Sequence, residues 1–278
     1  MLPQSRYLVD SGQGIVNKTD ELSTMHHALS TARSPDPCGI YLYCITMAGP
    51  PQEFGPIGIG GRGDPLYTIA ADGLQAVVSD SPQDRYPLYR EFLLAHEKGI
   101  EEVMKSCTVL PVRFGTVAEN PERVRVILRR ERQTLLDLLR WLEGKKSLSL
   151  KAIFQEKYIF QEVIARRPEI LRIRQQAQSR SDLMEVGERV AAALEEEKER
   201  HRREALDLLE PLSEEIRHND NIGDRMFLNT AFLVALPREA EFDRAVNALS
   251  DRYAGQVRFF YIGTLPPFDF VNLVIETR

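Results

Sequence analysis

Only three of the 278 residues are cysteine, and Cys38, Cys44 and Cys107 are odd in number and irregularly spaced. A disulfide framework is therefore not expected, and a reducing compartment is. No apolar run approaches the ~20 residues that span a bilayer. Met1 to Arg6 lack a basic region followed by an apolar core, so no secretory leader is expected. Positive charge is not in surplus: 36 Lys and Arg against 41 Asp and Glu leave a net charge of −5. That argues against non-specific nucleic-acid binding, which needs a basic surface to release phosphate counterions. There is no G-x-x-x-x-G-K-[ST] phosphate loop, no G-x-S-x-G elbow and no Cys/His/Asp group at metal spacing. The sequence thus nominates no catalytic, cofactor-binding or metal-ligating residue.

Several partial motifs fail on context. Gly58-Ile59-Gly60-Gly61-Arg62-Gly63 matches G-x-G-x-x-G, but Asp64-Pro65 and an extended run follow where a dinucleotide site needs a helix, so a loop is expected. His96-Glu97 begins like a zinc-protease helix, but position 100 is Ile rather than His, and His96 reads as a half-buried helix residue. His26-His27 are adjacent and diverge on a helix. Asn17-Lys18-Thr19 is a glycosylation sequon without a leader. Cys107 has no nameable partner base and reads as structural.

What is present is an α+β pattern. Residues 1–37 have scattered apolar residues and end in Ser34-Pro35-Asp36-Pro37, which reads as a flexible extension. Ile40 to Thr46 is an apolar, β-branched and aromatic strand candidate. Asp72-Gly73 between two β-prone runs signals a hairpin. Leu88 to Met104 has helical apolar spacing. Val109-Leu110-Pro111-Val112-Arg113-Phe114-Gly115-Thr116 reads as the central strand of a first domain, with Arg113 in a structural hydrogen bond or ion pair. Substituting Arg113 or Phe114 is accordingly expected to act on folding. Asn120 caps a helix over 121–143. Its Arg123, Arg125, Arg129, Arg130, Arg132 and Arg140 form either a solvated face or a surface for an anionic partner. Leu148 to Phe154 is expected to close the first sheet.

Two shorter helical segments flank Pro168. A long helix opens at Ser181-Asp182, with Asp182 and Glu185 resembling a capping box. Its charged middle, Glu195 to Arg203, is expected to face solvent or another chain. Met226 to Leu236 is the most apolar run, followed by a helix over 239–252 and a strand from Val257. The order gives a second small sheet, hence three parts: an extension (1–37), an N-terminal ferredoxin-like domain (38–155), and a helical linker with a C-terminal α+β domain (156–278).

Tyr41-Leu42-Tyr43-Cys44-Ile45, His96-Glu97-Lys98, the Val109–Thr116 stretch, Gly187-Glu188-Arg189-Val190, Asn229 to Val234 and Gly263-Thr264-Leu265-Pro266-Pro267-Phe268 together resemble the GvpF/GvpL gas vesicle protein family, in family order over residues 39–275. The resemblance implies two sheet domains related to the ferredoxin fold and joined by helices. It implies a non-enzymatic, minor structural or assembly role in the gas vesicle, with the main shell protein and other accessory proteins as partners. It also implies location on the vesicle, on its gas-facing surface, with no nucleic acid, lipid membrane or cofactor involved. Phe268 and Phe270 stand out as surface aromatics. The other reading is a ferredoxin-like enzyme or ligand-binding module, which requires a deep pocket with convergent polar groups.

Overall fold

A computed structural model describes residues 39–275; the extension, with Asn17, His26-His27 and Cys38, lies outside them. The first sheet is built on β1 (Gly39–Met47), whose first eight residues are all buried. A bulge at Tyr43, between the pairs Leu42–Val78 and Cys44–Val77, shifts the alternation of its side chains. The hairpin of β2 (Tyr67–Ala71) and β3 (Leu74–Ser81) turns at Asp72-Gly73, both at positive φ (50° and 85°), as a tight two-residue turn requires. After α1 (Arg90–Met104) come β4 (Leu110–Pro111) and β5 (Val117–Ala118), both pairing with β1.

The sheet order is β2-β3-β1-β4 with β5 also on β1, all antiparallel. The Val109–Thr116 stretch is therefore not the centre of this sheet; β1 is. Pro111 and the turn at Gly115 (φ 80°) limit it to two paired residues. Chain 121–142 forms two helices, α2 (Pro121–Arg130) and α3 (Arg132–Leu142), not the one expected, with Asn120 capping the first through Arg123 N–H at 2.9 Å. The two helices cover one face of the sheet around Ile40, Leu42, Ile45 and Leu110. On the other face, loop residues Ile59 and Leu66 and α1 residues Ile100 and Val103 pack on Tyr41 and Tyr43.

The strand expected to close this sheet belongs to the other one. β6 (Lys145–Phe154) follows the turn at Gly144 (φ 71°) and pairs along its length with both β8 (Met226–Ala235) and β9 (Val257–Leu265). Two facts direct it there. The second side of β1 is already taken by β4 and β5, and β8 is buried through nine of its ten residues, so it needs a neighbour on each side. With β7 (Glu215–His218) the order is β7-β8-β6-β9. Chain order here is β6, then α4 (Glu156–Arg166), α5 (Pro168–Gln176) and α6 (Arg180–Leu209), then β7, β8, α7 (Glu239–Arg252) and β9. That is a complete βαββαβ, ferredoxin-like unit, and it begins at Lys145, so the boundary between the sheets falls before β6 and not at 155.

The cap of α6 lies three residues earlier than expected: Ser179 is the N-cap and Asp182 the third helical residue, each bonding the other's backbone. The charged middle of α6 does not simply face solvent. Glu197 and His201 are buried, Arg166 of α4 meets Glu197 at 3.1 Å, and Arg200 meets Glu197 at 2.7 Å and Glu204 at 2.9 Å. On the same stretch Glu199 pairs with Arg203 at 2.6 Å, and Glu196 pairs with Arg167. Finally, the segment after β9 returns to the first sheet: Leu273 bridges Val112 in parallel and Val271 joins the first core. No helix among the described residues is long and apolar enough to cross a membrane.

Candidate functional site

Three separated stretches of sequence, around His96, Arg113 and Phe268, converge beside the β4 edge of the first sheet. α1 packs with His96 toward β1 because the ring lies on its apolar face with Ile100 and Val103. The imidazole is 3% exposed, not half-buried as expected. Its Nε2 lies 3.1 Å from the Val112 carbonyl oxygen and its Nδ1 lies 3.0 Å from the Tyr41 hydroxyl. A carbonyl only accepts, so Nε2 carries the proton and Nδ1 accepts from Tyr41. The Tyr41 oxygen in turn accepts from Gly115 N–H at 3.1 Å. Every polar atom of this chain is satisfied with the ring neutral, and burial pushes the His96 pKa down to about 4. Burial likewise raises the Tyr41 hydroxyl far above its ordinary range.

One turn further along α1, Gly99 lets the helix approach Tyr43. A Cβ there would lie 2.6 Å from the Tyr43 ring. The Tyr43 hydroxyl accepts from Ile59 N–H at 2.7 Å and lies 3.1 Å from the Ser79 hydroxyl. These bonds explain the Gly-rich loop: Ile59 is a buried anchor and Arg62 pairs with Asp64 at 2.8 Å, so the segment is a loop packed on the sheet.

Above His96 lies a groove of about 400 Å³ between α1, β4 and the C-terminal segment. Leu93 and Phe268 rim it at 40% and 41% exposure, and Phe114 forms part of its wall. The rings of Phe114 and Phe268 stand 5.7 and 6.1 Å from the imidazole. Glu97 and Arg113 also line it, and among the described residues neither makes an ion pair. This corrects the expectation for Arg113. Its backbone N–H donates to Leu273 and its carbonyl accepts from Thr116, but its side chain is exposed. Phe270 packs on the first core instead of lining the groove.

The arrangement can bind but offers little chemistry. The imidazole has both nitrogens engaged. Burial raises the thiols of Cys44 and Cys107 and so disfavours their reactive thiolates. Among the described residues, no group of three or more His, Cys, Asp or Glu side chains could hold a metal ion. Sequence reasoning found the three stretches but not their meeting place. The hint was their composition: each pairs a charged or aromatic residue with Gly or Pro where a plain core strand needs neither.

The fold and this groove define a two-sheet α+β protein whose open feature is an apolar, charge-flanked cleft. Residues 39–272 match the family model for gas vesicle synthesis protein GvpL/GvpF, and the chain belongs to that family. It is 30% identical over 243 residues to gas vesicle protein F of a Streptomyces species, covering 84% of this chain and 99% of that one. It is 27% identical over 242 residues to gas vesicle protein F of a Nostoc species, covering 84% and 98%. The crystal structure of GvpF from an Anabaena species superposes with a TM-score of 0.75 at 26% identity, covering 85% of this chain and 99% of that one. That of GvpF from Microcystis aeruginosa gives 0.72 at 25%, covering 85% and 100%.

Proposed function

We propose that this gas vesicle protein acts without catalysis, as a minor structural or assembly component that binds the main shell protein and other accessory proteins while the vesicle forms. It works at the vesicle, on the gas-facing surface of the shell. The observation that carries this reading is the groove. Its rim leaves Leu93 and Phe268 substantially exposed, and its two charged residues have no ion-pair partner within the described chain. Apolar side chains left in contact with water beside unpaired charges fit a surface that another protein covers. The bonded state of His96 and the raised thiols support a binding role over a catalytic one.

The test is co-purification of tagged chain with the shell protein from vesicle-forming cells, with electron microscopy of the same cells. Phe268→Asp and Arg113→Glu are expected to keep the melting temperature of the parent, lose the shell protein and yield few or misshapen vesicles. Retention of the shell protein by both variants, or normal and abundant vesicles in a gene deletion, overturns the proposal. Protease protection of the chain in intact vesicles, lost on their collapse, is expected for the gas-facing position; digestion in intact vesicles overturns that position.

A further inference from the structure

Each sheet has two edges, and a strand edge left open is a template for another strand unless it is shortened, charged or covered. Three of the four are managed. At β2, five residues long, Glu53 bridges Tyr67. Beside β4, Leu273 bridges Val112 and accepts from Arg113 N–H. β7 has only four residues, Glu215 to His218, and carries the Arg217–Glu215 ion pair.

β9 is different. It has nine residues and contains no Pro or Lys. Apart from its pairing with β6, its backbone makes among the described residues a single further hydrogen bond, from Val257 N–H to Tyr253. Arg258, Phe260 and Ile262 project from the sheet's outer face, and Phe260 and Ile262 are 41% and 48% exposed. Regular pairing with β6 runs from Val257 to Gly263 and breaks at the bulge beyond it. The middle of that regular stretch is Phe260.

We propose that β9 is a self-pairing edge: two copies of this chain associate antiparallel about a two-fold axis at Phe260, joining their second sheets into one. The residue pattern is self-complementary in this register. Phe260 meets its own copy, Phe259 faces Tyr261, and Arg258 faces Ile262, so aromatic stands against aromatic. The one charge in the stretch never meets itself. The two Arg258 side chains are four residues apart along the strand, about 13 Å at ~3.3 Å per residue, which exceeds the ~8 Å screening length at physiological salt. An edge contact of this size falls short of the ~1,600 Å² of a standard stable complex, so the dimer forms at high local concentration, as many copies on one assembly provide. This association is independent of what the groove binds.

Sedimentation equilibrium of the full chain tests it. The parent is expected to move from monomer to dimer as concentration rises from micromolar to millimolar. Phe260→Lys and Ile262→Lys are each expected to weaken the dimer by about tenfold or more while the circular dichroism spectrum is unchanged. The register is read separately in a Cys38→Ser, Cys107→Ser background. Phe260→Cys is expected to give a covalent dimer under mild copper-phenanthroline oxidation, and Arg258→Cys is not. A parent that stays monomeric throughout, lysine variants that dimerise like the parent, or equal crosslinking from positions 258 and 260 each overturn the proposal.

Discussion

The two sheets share one strand order and protect it by different means. In the first, β1 crosses to β2 through the loop of residues 48–66 where the second uses three helices, and both faces are packed. In the second, α6 and α7 cover one face and β9 leaves an edge open. Each sheet also carries one buried histidine on a packing helix, and these differ in the same sense. His96 has a partner for both nitrogens. His201, 1% exposed, accepts from Arg200 at 2.8 Å through Nε2, and its Nδ1 has no partner among the described residues. It is held instead by rings, with Phe154 and Tyr253 at 4.9 and 5.1 Å. In the first sheet the imidazole fixes where three chain segments lie; in the second it fills space. A fully satisfied buried network specifies geometry, whereas a half-satisfied one can be replaced by apolar packing.

The largest test of this contrast is acid. The pKa of both histidines is lowered to about 4 in the folded chain, in each case first by burial, and in His201 also by the Arg200 charge. The unfolded chain binds protons near 6.5, so stability is complete above that pH and is lost as pH falls from about 6.5 toward 4. His96 alone accounts for about 3 kcal/mol of that loss. Urea melts across this range should show it, and a pH-independent midpoint would refute neutral buried imidazoles. Next is His96→Leu, which leaves the Tyr41 hydroxyl and the Val112 carbonyl unpaired and should cost about 2–3 kcal/mol near neutral pH. Gly99→Ala should cost about 1–3 kcal/mol by overpacking against Tyr43, read as a lower urea midpoint. His201→Phe should change stability by under about 1 kcal/mol, because Arg200 keeps both carboxylates. If it costs as much as His96→Leu, the distinction between the two histidines fails. Smallest is Arg113→Ala, expected within about 0.5 kcal/mol because the side chain is exposed; a larger drop in melting temperature would restore the structural role first read for it.

Much of this architecture was legible in the residues. Asp72-Gly73 announced its hairpin, Asn120-Pro121 a helix start, and the apolar run Met226 to Leu236 the buried strand β8, because turn chemistry, caps and unbroken apolarity are local signals. Three readings needed distance information. Lys145 to Phe154 alternates like any strand, and no local feature says which sheet it joins. Arg113 is a lone charge in an apolar run, which reads as a buried pair unless the C-terminal segment is known to cross beside it. The charged middle of α6 reads as facing solvent or another chain because a sequence cannot show Arg166 reaching Glu197 from another helix. The groove was hidden for the same reason: Leu93, Arg113 and Phe268 are far apart in the chain.

The return of the C-terminal segment to the first sheet has a consequence for how the chain is made. Val271 packs in the first core and Leu273 bonds to β4, and Leu233 of β8 lies in that core as well. A ribosome delivers β1 to α3 early, yet the surface those elements present stays incomplete until residues 270–275 emerge. The amino-terminal half therefore keeps apolar surface uncovered during synthesis until Val271 and Leu273 have left the ribosome. A nascent chain cut short near residue 265 is accordingly a sticky species, and the groove beside His96 comes into being only once Phe268 to Leu273 are in place.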